Sequence, residues 1–187
     1  MRPLSLLGVY TAYAGLLSVA AIAFLRVGFK APAGPGRTLG AFAPVMFVVV
    51  ASIAQLYAFL FQQSAAGFGE HARLKREARK RGEKAPALAE VKYSGRYGAV
   101  LAADRTVGNY TEQLAPFLVS VIGYALFVSA NRAATLGWLW IVFRAYYPLV
   151  YAQPFPALLS STIPAYCCVW WMLGMATYAA ASLAMEA

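Results

Sequence analysis

Charged residues are scarce in this chain: they make up 12% of its 187 residues, against about 25% in soluble domains. Hydrophobic residues account for 61% of the sequence, and the mean hydropathy is +0.59. The shortage of charge excludes an ordinary soluble domain, because the long apolar stretches would leave large hydrophobic patches on its surface. The same composition excludes a disordered chain. We therefore interpret the chain as an integral membrane protein.

Cysteine and histidine, which commonly bind transition metals, are almost absent. The chain has only two cysteines, Cys167 and Cys168, and a single histidine, His71. The cysteines are adjacent within an apolar run, which is the spacing neither of a zinc site nor of a disulfide framework. The sequence therefore predicts no metal site.

Positive charge is confined mainly to one loop. The net charge is +9, and nine of the 16 lysines and arginines fall between Arg73 and Arg96. Because the charge is local, it indicates membrane topology rather than a surface for nucleic acid, and we expect no nucleic-acid partner. The positive-inside rule predicts that loop 70–96 lies on the cytoplasmic side, or its equivalent, in a protein that crosses the membrane several times.

Five stretches approach the roughly 20 apolar residues that a membrane-spanning helix requires. They run from Leu4 to Leu25, from Leu39 to Phe61, from near Arg96 through an apolar body at Gln113 to Ala130, from Ala133 to about Tyr151, and from Ala157 to about Met185. The first stretch could instead be a signal peptide. Its 22 residues exceed the usual signal core of about 7–15, so we expect a retained helix.

Two consecutive predicted helices carry polar residues at membrane depth, each set on a single helical face. Ionisable groups there cost about 2.5–3.5 kcal/mol each on insertion scales, so they usually face a protein interior and mark function. The spacings are i, i+4, i+7 in one helix and i, i+3, i+7 in the next. The two sets are Arg105, Asn109 and Glu112, followed by Arg144, Tyr147 and Tyr151.

Each set also has a structural interpretation. Arg105 and Glu112 could form an ion pair that only fixes helix register. Arg144 could be paired with a carboxylate or carbonyl group for structure alone, and Tyr147 and Tyr151 could belong to an aromatic belt at the membrane interface. In combination, cations, a carboxylate, an amide and phenols favour a site for a small, net-anionic zwitterion that is used on an apolar substrate.

The polar residues lie in motifs that resemble the MAPEG family, the membrane-associated proteins of eicosanoid and glutathione metabolism. The family signature is Arg-x3-Asn-x2-Glu-x3-Pro-Phe at the start of a helix. The matching segments are Arg105-Thr-Val-Gly-Asn109-Tyr-Thr-Glu112-Gln-Leu-Ala-Pro116-Phe117, Arg144-x2-Tyr147-x3-Tyr151, and Ala72-Arg73-Leu74-Lys75-Arg76. The resemblance covers roughly Leu39 to Met185.

The resemblance implies an all-α integral membrane protein with a MAPEG-like four-helix transmembrane bundle in residues 39–187. Residues 1–30 would then form one additional N-terminal transmembrane helix. It also implies a homotrimer that binds glutathione, its co-substrate, between subunits on the cytoplasmic side. The implied glutathione-binding residues are Arg73, Arg105, Asn109, Glu112, Tyr147 and Tyr151, and the candidate catalytic residues are Tyr151 and Arg144.

We expect a glutathione-dependent transferase or peroxidase that acts on lipophilic electrophiles in the membrane. Family enzymes generally place an arginine shortly after the second tyrosine, whereas Gln153-Pro154-Phe155-Pro156 follows here. Gly108 stands where close relatives often have another arginine. The alternative is a catalytically silent structural subunit of a larger membrane assembly, which would contact other subunits through helix 4–25. A transporter is disfavoured because no inverted repeat is evident.

Overall fold

The structure, a computed structural model, describes residues 39–93 and 95–186. The expected N-terminal helix from Leu4 to Leu25 lies outside the described residues. Within the described ranges every regular element is helical and no β-strand occurs. The all-α class is thus confirmed, while the arrangement of four helices plus one stays a prediction.

A short 3-10 segment at Leu39–Phe42 leads into six α-helices in this part of the chain. Two of the described helical segments, Leu39–Arg81 and Leu159–Glu186, are long and apolar enough to cross a membrane. The α-helices are α1 (Ala43–Arg81), α2 (Leu88–Tyr93), α3 (Gly98–Phe127), α4 (Ala130–Ala145), α5 (Tyr147–Tyr151) and α6 (Leu159–Glu186).

Helix α1 extends well beyond the apolar stretch that begins it. Its 39 residues rise about 58 Å, roughly twice the thickness of the hydrocarbon layer. The charged end must therefore project out of the lipid. The helix stops at Gly82, whose φ of 68° is a conformation that residues with a Cβ rarely adopt.

Helix α2 lies within the predicted loop 70–96 and was not predicted from the sequence. The backbone N–H of Ala87 donates to the Glu90 carboxylate at 3.0 Å, which satisfies one of the free amide groups at the helix start. Val91 is completely buried. One carboxylate cap and one apolar anchor therefore hold this short helix.

The fourth predicted span is shorter than expected and starts earlier. The Ser129 hydroxyl accepts from the Arg132 N–H at 3.5 Å, so α4 begins at Ala130 instead of Ala133. The helix ends at Ala145 because Pro148, which lies in the first turn of α5, cannot donate the hydrogen bond that would continue it. The 16 residues of α4 rise about 24 Å, less than the hydrocarbon layer.

The chain divides into two compact units. Residues Ser52–Leu114 contain six of the seven acidic residues of the sequence, and we call them the charged unit. The remaining described residues form the apolar unit, in which α4 packs against α6. There Phe117 and Trp140 are both completely buried, and their rings stack with centroids 3.9 Å apart and planes 8° from parallel.

Candidate functional site

The first set of predicted site residues lies on one exposed face of α3 in the charged unit. Arg105 and Glu112 are exposed, and Asn109 between them is partly buried. Arg105 and Glu112 form no ion pair with each other or with any other residue that the structure describes. The purely structural pairing considered from the sequence is therefore not formed.

The opposite face of α3 is anchored by Tyr110. This residue is 1% exposed, and its hydroxyl donates to the Ser52 carbonyl oxygen at 2.8 Å while lying 3.1 Å from Gln55 Oε1. Its ring meets that of Phe59 edge to face, with centroids 5.3 Å apart. Because Tyr110 follows Asn109 directly and is buried, the face that carries Arg105 and Glu112 is turned outward.

Tyr110 and Asp104 shape the site but were not predicted from the sequence to do so. Asp104 accepts a hydrogen bond from Gln63 Nε2 at 2.9 Å, which ties α3 to α1 within the charged unit. Because adjacent helical residues point about 100° apart, this carboxylate lies on a different part of the helix surface from the Arg105 face. Its role in the structure is to position α3.

Arg73 lies on the charged end of α1 and is held by two carboxylates of the same helix. Its guanidinium is 2.6 Å from Glu70 Oε1 and 2.6 Å from Glu77 Oε1. The hydrogen bond from Arg73 lowers the pKa of the Glu70 carboxyl below its usual value, and the same contact raises the pKa of Arg73. The Arg73 side chain is half exposed, so solvent screens both ion pairs.

The second set centres on Arg144 in the last turn of α4. Arg144 is 0% exposed, and its guanidinium carbon lies 4.9 Å from the Tyr147 ring centroid and 6.0 Å from the Trp140 ring. Both distances are within the range of cation–π attraction. Arg144 is thus enclosed by aromatic rings rather than presented at a surface.

Tyr147 and Tyr151 continue this aromatic set through α5. Their rings stack with centroids 5.9 Å apart and planes 27° from parallel. Tyr147 is 4% exposed, which is too buried for a ring in an interfacial aromatic belt, whereas Tyr151 is only partly buried. Tyr151 is therefore the member of the set whose hydroxyl a ligand can reach most readily.

The predicted site residues thus form three groups: the Arg105 face of α3, Arg73 with its two glutamates, and the Arg144–Tyr147–Tyr151 set. The first two groups belong to the charged unit and the third to the apolar unit. Among the described residues, no group of three or more His, Cys, Asp or Glu side chains is placed to hold a metal ion.

The charged unit also contains a cleft that the sequence did not reveal. Its volume is about 440 Å³, and it lies where α2 meets the start of α3. None of the predicted site residues lines it. The lining residues are Pro86, Ala89, Glu90, Tyr93, Arg96 and Tyr97.

Two long apolar helices among the described residues, one of them ending in a cluster of charges, are typical of a helical membrane protein. The model of the MAPEG family matches residues 6–184, and the chain belongs to that family. Searches of curated proteins and of solved structures gave no match. Membership relates this membrane protein to glutathione and eicosanoid metabolism.

The family match reaches further toward the N-terminus than the motifs do. It begins at residue 6, whereas the motif resemblance covers only Leu39 to Met185. Most of the apolar segment 4–25 thus falls within the matched residues. The division of the chain into residues 1–30 and residues 39–187 remains a prediction.

Proposed function

We propose that the protein binds glutathione and transfers it to lipophilic electrophiles, or uses it to reduce lipid-soluble peroxides, in the membrane. The observation that carries the proposal is the exposed face of α3, where Arg105 and Glu112 stand without an ion-pair partner among the described residues. In a protein of this family, such a face suits a ligand that itself carries both charges.

The charges of that face match those of glutathione. Glutathione has two carboxylates and one ammonium group, so Arg105 would take a carboxylate and Glu112 would take the ammonium. Asn109 adds an amide between them, and Arg73 can bind the second carboxylate in exchange for its glutamates. Residues i and i+7 are separated by about 10.5 Å along a helix, which spreads the ionic contacts over an elongated peptide.

Activation of the thiol is assigned to Tyr151. A thiol reacts as its thiolate, and a nearby hydrogen-bond donor stabilises that form. The sequence has no lysine or arginine after Arg144, so the Tyr151 hydroxyl is the proposed donor, with Tyr147 stacked against it. Arg144 is enclosed behind Tyr147 and would not contact the thiolate. Its positive charge would act on the thiolate across these rings.

The proposed transfer step is nucleophilic attack by the glutathione sulfur. The thiol proton passes to water, the thiolate forms a carbon–sulfur bond, and the leaving group departs with its electron pair. In the peroxidase variant two glutathione molecules are oxidised to the disulfide. The peroxide oxygen–oxygen bond breaks, which yields an alcohol and water.

A homotrimer in the bilayer is the proposed assembly. Proteins of the family are typically trimeric, and the exposed face of α3 is where a neighbouring subunit would complete the site. The positive-inside rule supports a cytoplasmic position for loop 70–96. The glutathione site would then open toward the side on which cells keep glutathione reduced.

Thermal unfolding of the purified protein with millimolar glutathione tests the proposal. Binding to the native state should raise the unfolding temperature, and Glu112→Gln should weaken the apparent affinity about tenfold or more, since a charge-assisted hydrogen bond is lost. Glu83→Gln, in the exposed linker after α1, is the matched control and should behave as the parent. No stabilisation by glutathione would refute the assignment.

A catalytically silent subunit is the second candidate, because the chain lacks a cation after Arg144. This role predicts co-purification with other membrane proteins in stoichiometric amounts after gentle solubilisation, and no conjugation of a generic electrophile. A lone trimer that turns over glutathione would exclude it.

A further inference from the structure

At the charged end of α1, the carboxylates pair with a single arginine, and the other cations form no ion pair with a described residue. Glu70 and Glu77 both bind Arg73, so this one arginine occupies both acidic side chains in the last three turns of the helix. The other cations in those turns form no ion pair with either glutamate.

Four of these cations form a continuous surface, which we call the basic face. Their spacing of i, i+1, i+4 and i+5 places them within an arc of about 140° around the helix. All are exposed, and none forms an ion pair with a residue that the structure describes. They are Lys75, Arg76, Arg79 and Lys80.

The opposite side of the same turns is used for packing. Ala78 is 7% exposed, and Leu74 is partly buried. The glutamates that hold Arg73 lie just outside the basic face, since Glu77 is about 60° around the helix from Lys80. Packing and ion pairing together leave the basic face directed outward.

The basic face follows directly on an apolar helix that is suited to crossing a membrane. Phe68 is still 56% exposed, and Lys75 comes seven residues later, about 10 Å further along the helix. That is close to the Debye length of about 8 Å at physiological salt, and lysine and arginine side chains can reach back toward the interface. The face therefore lies within the electrostatic reach of lipid headgroups.

We propose that the basic face binds the phosphate-bearing headgroups of anionic phospholipids in the leaflet next to loop 70–96. Clusters of several lysines and arginines just outside a membrane span are attracted to such lipids. The same four charges would also attract a nucleic acid or an acidic protein. The bilayer is favoured because the same helix holds the face beside it at all times. The inference does not depend on glutathione binding.

The test compares lipid preferences of the full-length protein in a mild non-ionic detergent. Phosphatidylglycerol and phosphatidylcholine with identical acyl chains are titrated separately, and bound lipid is counted by native mass spectrometry alongside thermal unfolding. The parent should prefer phosphatidylglycerol by about tenfold or more, with the preference falling as salt is raised.

Two variants change the same four positions. The neutral variant carries Lys75→Gln, Arg76→Gln, Arg79→Gln and Lys80→Gln, and should lose most of the preference. The matched control carries Lys75→Arg, Arg76→Lys, Arg79→Lys and Lys80→Arg, keeps all charges, and should retain it. Both should keep the helix content of the parent, because these side chains are exposed.

Three outcomes would overturn the proposal. The neutral variant could keep the full preference for phosphatidylglycerol, or the charge-preserving control could lose it. Soluble glycerophosphoglycerol, which lacks acyl chains, could stabilise the parent as strongly as the lipid, which would make the face a site for soluble phosphates. Glutathione should stabilise the neutral variant as much as it stabilises the parent. This measurement tests the proposed function separately.

Discussion

The guanidinium carbon of Arg144 lies 4.9 Å from the centroid of the Tyr147 ring, with the guanidinium completely buried. The Trp140 ring centroid lies 6.0 Å from the same carbon, and Trp140 stacks on Phe117. The stack of Tyr147 on Tyr151 extends the series. An aromatic ladder with one cation inside it thus connects the core of the apolar unit to the partly buried tyrosine of the proposed site.

A double-mutant cycle measures the attraction between Arg144 and Tyr147. We expect Arg144→Lys to destabilise the protein even though it keeps the charge, because an ammonium cannot lie flat against two rings. Arg144→Met, which removes the cation, forms the cycle with Tyr147→Leu and should give a coupling free energy of about 1–2 kcal/mol in thermal unfolding. Additive effects of the two substitutions would show that the rings and the guanidinium do not interact.

Tyr110→Phe tests the anchor that turns the polar face of α3 outward. The substitution keeps the ring against Phe59 but removes the hydroxyl that donates to the Ser52 carbonyl group. We expect a loss of about 1–2 kcal/mol, because a buried acceptor loses its hydrogen bond. Tyr57→Phe, at a position that is 57% exposed, is the matched control. Equal stability of the two variants would contradict the anchoring role.

Gly137→Ala tests the close approach of α4 to the start of α1 within the apolar unit. A Cβ at this position would overlap Val48 Cγ1, so the helices would have to move apart, at a cost of about 1–3 kcal/mol. Adding Val48→Ala should recover part of the loss. Gly174→Ala, which meets nothing within 4 Å, should instead be neutral or slightly stabilising in the same unfolding assay.

The surroundings of Arg144 could be predicted only in part. Trp140 and Tyr147 stand at i−4 and i+3 from it, a spacing that places them beside it on a helix, so these neighbours are visible in the sequence. Phe117 lies 23 positions before Trp140, and no local periodicity indicates which rings will stack across helices. The sequence pattern therefore identified the polar set but not its enclosure by aromatic rings.

The helix boundaries could also be predicted only in part, because single residues determine them. Gly82 ends α1, and its positive φ is the physical reason. Ser129 lies inside an apolar run and was overlooked as a cap, so α4 was expected to begin three residues late. The six residues of α2 are too few for a periodic signal, and its stability depends on the burial of Val91, a tertiary contact.

Tyr151→Phe tests the proposed thiol donor. Loss of a hydrogen bond to the thiolate should raise the pKa of bound glutathione by about one to two units, and lower the thiolate fraction at neutral pH about 10- to 100-fold. The turnover rate with a generic electrophile should fall accordingly, while KM for glutathione changes little. Because the rate depends on the thiolate fraction, the increase in rate with pH should occur at higher pH in the variant.

The matched control for this prediction is Tyr178→Phe on α6, at a position that is 71% exposed. It removes a phenol from the same apolar unit without touching the aromatic ladder, and should leave both kcat and the pH profile unchanged. If Tyr151→Phe lowered kcat without moving the pH profile, the hydroxyl would orient the substrate rather than stabilise the thiolate. If neither quantity changed, the donor would be another group, because removing a phenol that donates to the sulfur must alter the ionisation of the thiol.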